Sequence, residues 1–142
     1  MSAIAVALAA LLATSAAGAA ETRFDGVTEQ EVAVFLATLQ VALRADKPAA
    51  VADLVVFPLR VNAPTSKAFV KTRGEFVRGY ARIFTPPVRS AILAQSAADL
   101  FRNWQGFMIG NGEIWFRGVC PDPSCSTHRI GVVTVNVPGD RQ

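Results

Sequence analysis

The stretch NWQGFMIGNGEIWF, from Asn103 to Phe116, holds both tryptophans of the chain, two of its nine phenylalanines and three glycines. Its centre decides how the second half folds. Asn111-Gly112 is a strong short hairpin signal, because both residues tolerate the positive φ of a type I′ turn. A two-residue turn there sets Ile109 opposite Ile114, Met108 opposite Trp115 and Phe107 opposite Phe116. Read as one continuous strand, residues from Leu100 to Met108 alternate between two faces. Leu100, Arg102, Trp104, Gly106 and Met108 then share a face with Trp115, Arg117 and Val119. Phe101, Asn103, Gln105, Phe107 and Ile109 share the other with Ile114 and Phe116. Gly106 is a place for a bend or bulge. A last strand, RIGVVTVNV, follows from Arg129 to Val137.

Upstream the pattern is helical. Thr28 and Glu31 stand at capping-box spacing, with Val27 and Val32 at the hydrophobic-staple positions. Val32, Phe35, Leu36, Leu39 and Leu43 recur on one helical face, which fades near Ala45. Asp46 before Lys47-Pro48 reads as the N-cap of a second, short helix. LVVFPLRVN, from Leu54 to Asn62, is rich in β-branched residues and reads as a strand, which Pro58 confines to an edge or a bulge. APTSK, residues 63–67, reads as a loop. Thr72 and Glu75 repeat the capping spacing, and Phe76, Tyr80, Ile83 and Phe84 line a helix that stops at Pro86-Pro87. Val88, Ile92 and Leu93 indicate one more short helix, to about Ala94. The expected fold is α+β: a long N-terminal helix and short helices packed on a curved antiparallel sheet, cone-like in shape.

The first twenty of the 142 residues carry no charged side chain and are dominated by Ala, Leu and Val. Gly18 and Ala20 fit the −3 and −1 positions of a signal-peptidase site, so residues 1–20 read as a signal peptide and 21–142 as a single exported domain. A retained membrane anchor is the alternative, although Ala and Gly drive insertion weakly. The net charge of +3 remains after removal of that segment. Arg60, Lys67, Lys71, Arg73, Arg78, Arg82 and Arg89 fall in one stretch whose single acid is Glu75. They suggest a solvated helix face, or a weak attraction to an anionic membrane surface, a glycan or an acidic partner. No nucleic-acid motif is visible.

Cys120 and Cys125 bracket a Pro-rich turn, CPDPSC, and read as a disulfide in an oxidising compartment. Adding His128 gives C-x4-C-x2-H, three possible zinc ligands without an evident fourth. No metal or other cofactor is expected.

The segments ADKPAAVADLVVFPLRVN, EFVRGYARIF and LFRNWQGFMIGNGEIWF together resemble the nuclear transport factor two-like (cystatin-like) α+β superfamily. They are most similar to small exported bacterial proteins of unassigned function within it. A Pro-Leu strand, a helix with Phe and Tyr, and a G-x-x-I-G-x-G-x-x-W hairpin recur there in this order, over roughly residues 28–119. The superfamily includes dehydratases, isomerases, polyketide cyclases and non-catalytic binding domains, so membership is a weak warrant for function.

The resemblance implies, for an enzyme, an acid or base, often Asp or His, inside the pocket beside a Tyr or a second acid. Candidates are Asp53, Tyr80, Asp99, Glu113 and His128, and no pair among them is forced to converge. The expected function is a non-catalytic domain that binds a small apolar ligand or a protein partner, with a homodimer through the sheet also possible. Tyr80, Asn103, Trp104, Gln105, Phe107 and Trp115 are the ligand-binding candidates, Asn103 and Gln105 beside Phe107 being the polar groups of a cavity. The alternative is a small lyase or isomerase with Tyr80 as acid and Asp53 or Asp99 as base.

Overall fold

A computed structural model describes residues 23, 24 and 26–139. The expected signal peptide and its cleavage position lie outside the described residues. The elements run β1 (Arg23–Phe24), β2 (Val27–Thr28), α1 (Glu29–Arg44), α2 (Pro48–Ala52), β3 (Val55–Ala63), β4 (Ser66–Val70), α3 (Arg73–Ile83) and α4 (Pro86–Ala94). A short 3-10 helix (Ala97–Asp99) leads into β5 (Phe101–Asn103), β6 (Gly106–Ile109), β7 (Ile114–Val119) and β8 (Arg129–Asn136). β1 and β2 form a small ladder of their own, and the other six strands make one sheet in the order β4-β3-β8-β7-β6-β5. The α+β class holds. The sheet is mixed rather than wholly antiparallel, because β3 and β8 run parallel at its centre.

Local chemistry sets the helix starts. Thr28 and Glu31 form the full capping box of α1: Glu31 N donates to Thr28 Oγ1 at 3.2 Å, and Thr28 N donates to Glu31 Oε2 at 2.7 Å. Two of the orphan donors of the first turn are thereby satisfied. Those bonds, the one from the Thr28 backbone first, hold the Glu31 carboxyl below its usual range. The start of α3 departs from the reciprocal box. Thr72 Oγ1 accepts from Glu75 N at 3.1 Å, but the Glu75 carboxylate turns to Lys71 N, at 2.9 Å. Asp46 is not a cap either. It takes a left-handed φ of 50°, and Lys47 precedes the helix without a side-chain cap.

Two strand expectations need correction, and of the edge or bulge expected at Pro58 the bulge alternative holds. Residues 66–70 form β4, a strand where APTSK reads as loop through Lys67. β3 lies between β4 and β8, so Pro58 is not at an edge. It sits instead in a stretch where the β3–β8 register shifts, between Val55 and Arg60, which spares the ladder a donor that proline lacks. The three cross-strand pairs around Asn111-Gly112 form as expected, Ile109 with Ile114, Met108 with Trp115 and Phe107 with Phe116. The turn itself is not type I′, because Gly110 and Gly112 carry the positive φ, at 62° and 106°, and Asn111 does not.

One face of the sheet is covered by the helices. Leu59, Phe107, Ile109, Ile114, Phe116, Val132 and Val135 are buried there with Phe35, Leu36, Leu39 and Leu43 of α1 and Phe76, Tyr80 and Ile83 of α3. Phe116 stacks between Phe35 and Phe107, at centroid distances of 4.8 and 5.2 Å. Phe76, Tyr80 and Phe84 form a second aromatic cluster at 5.5 to 5.9 Å.

Cys120 and Cys125 stand at disulfide distance, with Cα atoms 4.9 Å apart. Closing so short a loop limits the unfolded chain and contributes about 2 kcal/mol on chain-entropy grounds. Reduction, or Cys125→Ser, is expected to lower the unfolding free energy by that amount, read as a shift of the urea midpoint. Unchanged unfolding curves with and without dithiothreitol would contradict it.

Candidate functional site

The candidates divide between two sides of the sheet, and a second turn is the reason. β5 and β6 are separate strands in an antiparallel pair, Phe101 with Met108, Arg102 with Phe107 and Asn103 with Gly106. Trp104 and Gln105 therefore form a two-residue turn, and the face alternation reverses across it. Asn103 Oδ1 closes the turn by accepting from Gln105 N at 2.8 Å. Arg102, not Asn103 or Gln105, shares the helix side with Phe107, and it donates to Glu29 of α1 at 3.2 Å. The expected pair of polar groups beside Phe107 is thus not formed. Asn before and Gly after the turn, N-W-Q-G, are the residues that could have marked it.

On the helix side Tyr80 and Phe107 are packing residues. Phe107 is 2% exposed against Phe116. Tyr80 is buried and stacks on Phe84, its ring at 10° to the neighbouring one. Its hydroxyl has no hydrogen-bond partner among the described residues. Burial raises its pKa above the usual phenol value; the nearby Arg89 opposes that and Asp46 adds to it. Neither expected base reaches it. Asp53 accepts from Arg73 at 2.9 Å with its side chain 65% exposed, and Asp99 accepts from Ser96 at 2.8 Å on the surface. An acid–base pair is not brought together here. Because a buried hydroxyl without a partner costs free energy, Tyr80→Phe is expected to raise stability by about 1 kcal/mol. A lower urea midpoint for that variant would show that the hydroxyl is engaged.

Glu113 stays in its loop, where its carboxylate accepts from Asn111 N at 2.6 Å. His128 Nε2 stands 2.9 Å from Glu31 Oε1, tying the end of the cysteine loop to the start of α1.

The other side of the sheet is different. Among the described residues no helix covers it, and both tryptophans border it. Trp104 at the β5–β6 turn is 82% exposed, and Trp115 is half-buried on β7. A cleft of about 400 Å³ opens there, bordered by Trp104, Gln105, Arg117, Arg60, Phe69 and Pro58. Phe69, Phe101 and Met108 belong to this surface and were not among the binding candidates, and Arg60 joins it from the basic stretch. The run SKAFV carries the alternation that places Lys67 and Phe69 on it, once residues 66–70 are seen as a strand.

A second cleft, about 340 Å³, lies between the start of α1, the 3-10 helix and β5. Small residues, Ala33, Ala97 and Ala98, leave that space, with Arg102 at its border. The seven basic residues from Arg60 to Arg89 do not form one patch. Arg73 is paired with Asp53 and Arg89 with Asp46, Arg78 is exposed at the middle of α3 and Arg82 in its last turn, Lys71 is exposed between β4 and α3, and Arg60 and Lys67 lie on the sheet. Among the described residues no helix is long and apolar enough to cross a membrane.

Compared with family models, with curated proteins and with solved structures, the chain has no match in any of the three.

Proposed function

We propose that the chain is an exported, non-catalytic domain of the nuclear transport factor two-like kind, which holds a protein partner on the open face of its sheet. One observation carries the reading. The centre of the helix side, where an enzyme of this fold would keep its pocket, is filled by Phe35, Phe107 and Phe116, and the cleft beside Ala33 lies at its border, while aromatic side chains remain exposed on the opposite side. Exposed aromatic residues beside arginine are the side chains that dominate binding energy at protein interfaces. Export is supported by the uncharged leader and by the cysteine pair at disulfide distance.

The test is photocrosslinking in the host cell. Benzoylphenylalanine at Phe69, on the open face, is expected to give a discrete adduct with one other protein. The same probe at Val41, which is 62% exposed on α1, is the control. Equal adducts at both positions, or none at Phe69, would remove the reading. A small apolar ligand has its best place in the cleft lined by Ala33, Ala97, Ala98 and Leu100, away from the filled core.

A further inference from the structure

The open face carries one residue from each of the six strands in a single lateral row. The register sets Phe69 opposite Arg60, Arg60 opposite Thr134, Thr134 opposite Trp115, Trp115 opposite Met108, and Met108 opposite Phe101. At about 4.8 Å between strands the row is roughly 24 Å long. Its ends are the most open, Phe69 at 59% and Phe101 at 52% exposed.

The charge on this face has one sign. β3 to β8 contain no aspartate or glutamate, but they carry Arg60, Lys67, Arg102, Arg117 and Arg129. Arg60 Nε donates to Asn62 Oδ1 at 3.2 Å on its own strand, and two others are engaged away from the row. Arg102 pairs with Glu29, and Arg129 donates to the carbonyls of Asp53 and Val55 at 2.7 and 2.9 Å. The remaining three belong to the open face, and none has an ion-pair partner among the described residues. Lys67 is two residues from Phe69 and Arg117 two from Trp115, so each lies beside the row on its own strand. Arg117 borders the cleft together with Trp104 and Arg60.

We infer that the open face is a docking site for an acidic protein segment, one with Asp or Glu side chains around a central apolar residue. This rests on the reading of the face as a partner surface and adds the chemistry of that partner. Carboxylates match Arg60, Lys67 and Arg117, and the apolar residue enters the cleft beside Trp104. A second copy of the chain fits poorly, because closing two such faces together would gather the three cations of each copy with no strand carboxylate between them. A lipid surface offers anionic charge, but a layer of headgroups has no side chain to enter a cleft of this size.

Because both tryptophans of the chain border this face, tryptophan emission, excited selectively over that of Tyr80, reports on it alone. The probes are a Glu-rich peptide with one central Phe and its Gln counterpart. The Glu peptide is expected to give a saturable emission change that weakens with salt. Binding should fall at least ~10-fold for the Gln peptide, and likewise for the Arg60→Gln/Arg117→Gln variant. Near-UV circular dichroism checks that the variant is folded, and the peptide comparison needs no variant. The inference is overturned if the two peptides behave alike. It is also overturned if phosphatidylglycerol vesicles give the larger response, or if sedimentation shows self-association through this face without peptide. The crosslink at Phe69 separates the two levels. An adduct that survives Arg60→Gln/Arg117→Gln keeps the partner surface and removes its acidic chemistry. Absence of any adduct removes both.

Discussion

Phe116→Ala is expected to cost about 3–5 kcal/mol, measured as the shift in the urea unfolding transition. Phe116 is fully buried and its ring lies between Phe35 and Phe107. Truncation removes transfer free energy and both ring contacts, and it leaves a void that a sheet and a helix held by their own hydrogen bonds can close only in part. Against a typical domain stability of about 5–15 kcal/mol, this single change leaves little margin. The void would also be apolar on every side, and such cavities stay dry and accept small aromatic guests. Benzene is therefore expected to recover part of the lost stability in the variant and to leave the parent protein unchanged. A parent protein stabilised equally by benzene would mean that the cleft beside Ala33 and Leu100 takes small apolar molecules. This result would restore the small-ligand reading.

The second large effect is expected at Gly106. Its φ is +124°, a conformation that side-chain-bearing residues rarely adopt. A Cβ placed there would stand 2.5 Å from the Phe116 carbonyl oxygen and 2.9 Å from Arg117 Cβ, so β6 could not keep its distance from β7. Gly106→Ala is expected to lose about 2–4 kcal/mol from backbone strain and overpacking together. Gly74, early in α3, has no positive φ, and an added Cβ would meet only the flexible end of Arg78. Gly74→Ala should leave stability unchanged or raise it by up to about 1 kcal/mol. Comparable losses in the two variants would show that close approach at the sheet is not what Gly106 provides. One of the two crowded atoms belongs to Arg117, so a surviving Gly106→Ala protein should also bind the Glu-rich peptide more weakly.

What could be read from the sequence was what short range determines. The capping box of α1 and its apolar face are four-residue patterns, and they form as spaced. Three hairpin pairs follow from a turn of known position, even though Gly110 and Gly112 take the positive φ in place of Asn111. Errors entered where a local rule was carried past an unseen turn. Alternation from Leu100 to Met108 assumes an unbroken strand, and the reversal at Trp104-Gln105 moved Asn103, Gln105 and Arg102 to opposite sides from those expected. The parallel contact of β3 with β8 joins segments some seventy residues apart, Val55 with Val132 for instance, and leaves no mark in either one. For the same reason the row from Phe69 to Phe101 was invisible. Its members come from six strands, and only the lateral register brings them side by side. Tyr80 was placed correctly on the buried face of its helix, but burial made it packing and not chemistry.

The position of β8 bears on how the sheet is assembled. It is the final strand in chain order, yet it sits between β3 and β7 at the centre. Until it docks, β3–β4 and β5–β6–β7 are two ribbons without a shared neighbour, each with an unpaired edge. The chain emerges N-terminal end first, from a ribosome or across a membrane, so the β3 edge waits until its partner has followed. During that interval both ribbons expose backbone groups that another chain could pair with. The central strand is thus the clasp of the sheet, and holding the nascent chain apart until Asn136 has emerged is the condition for correct closure.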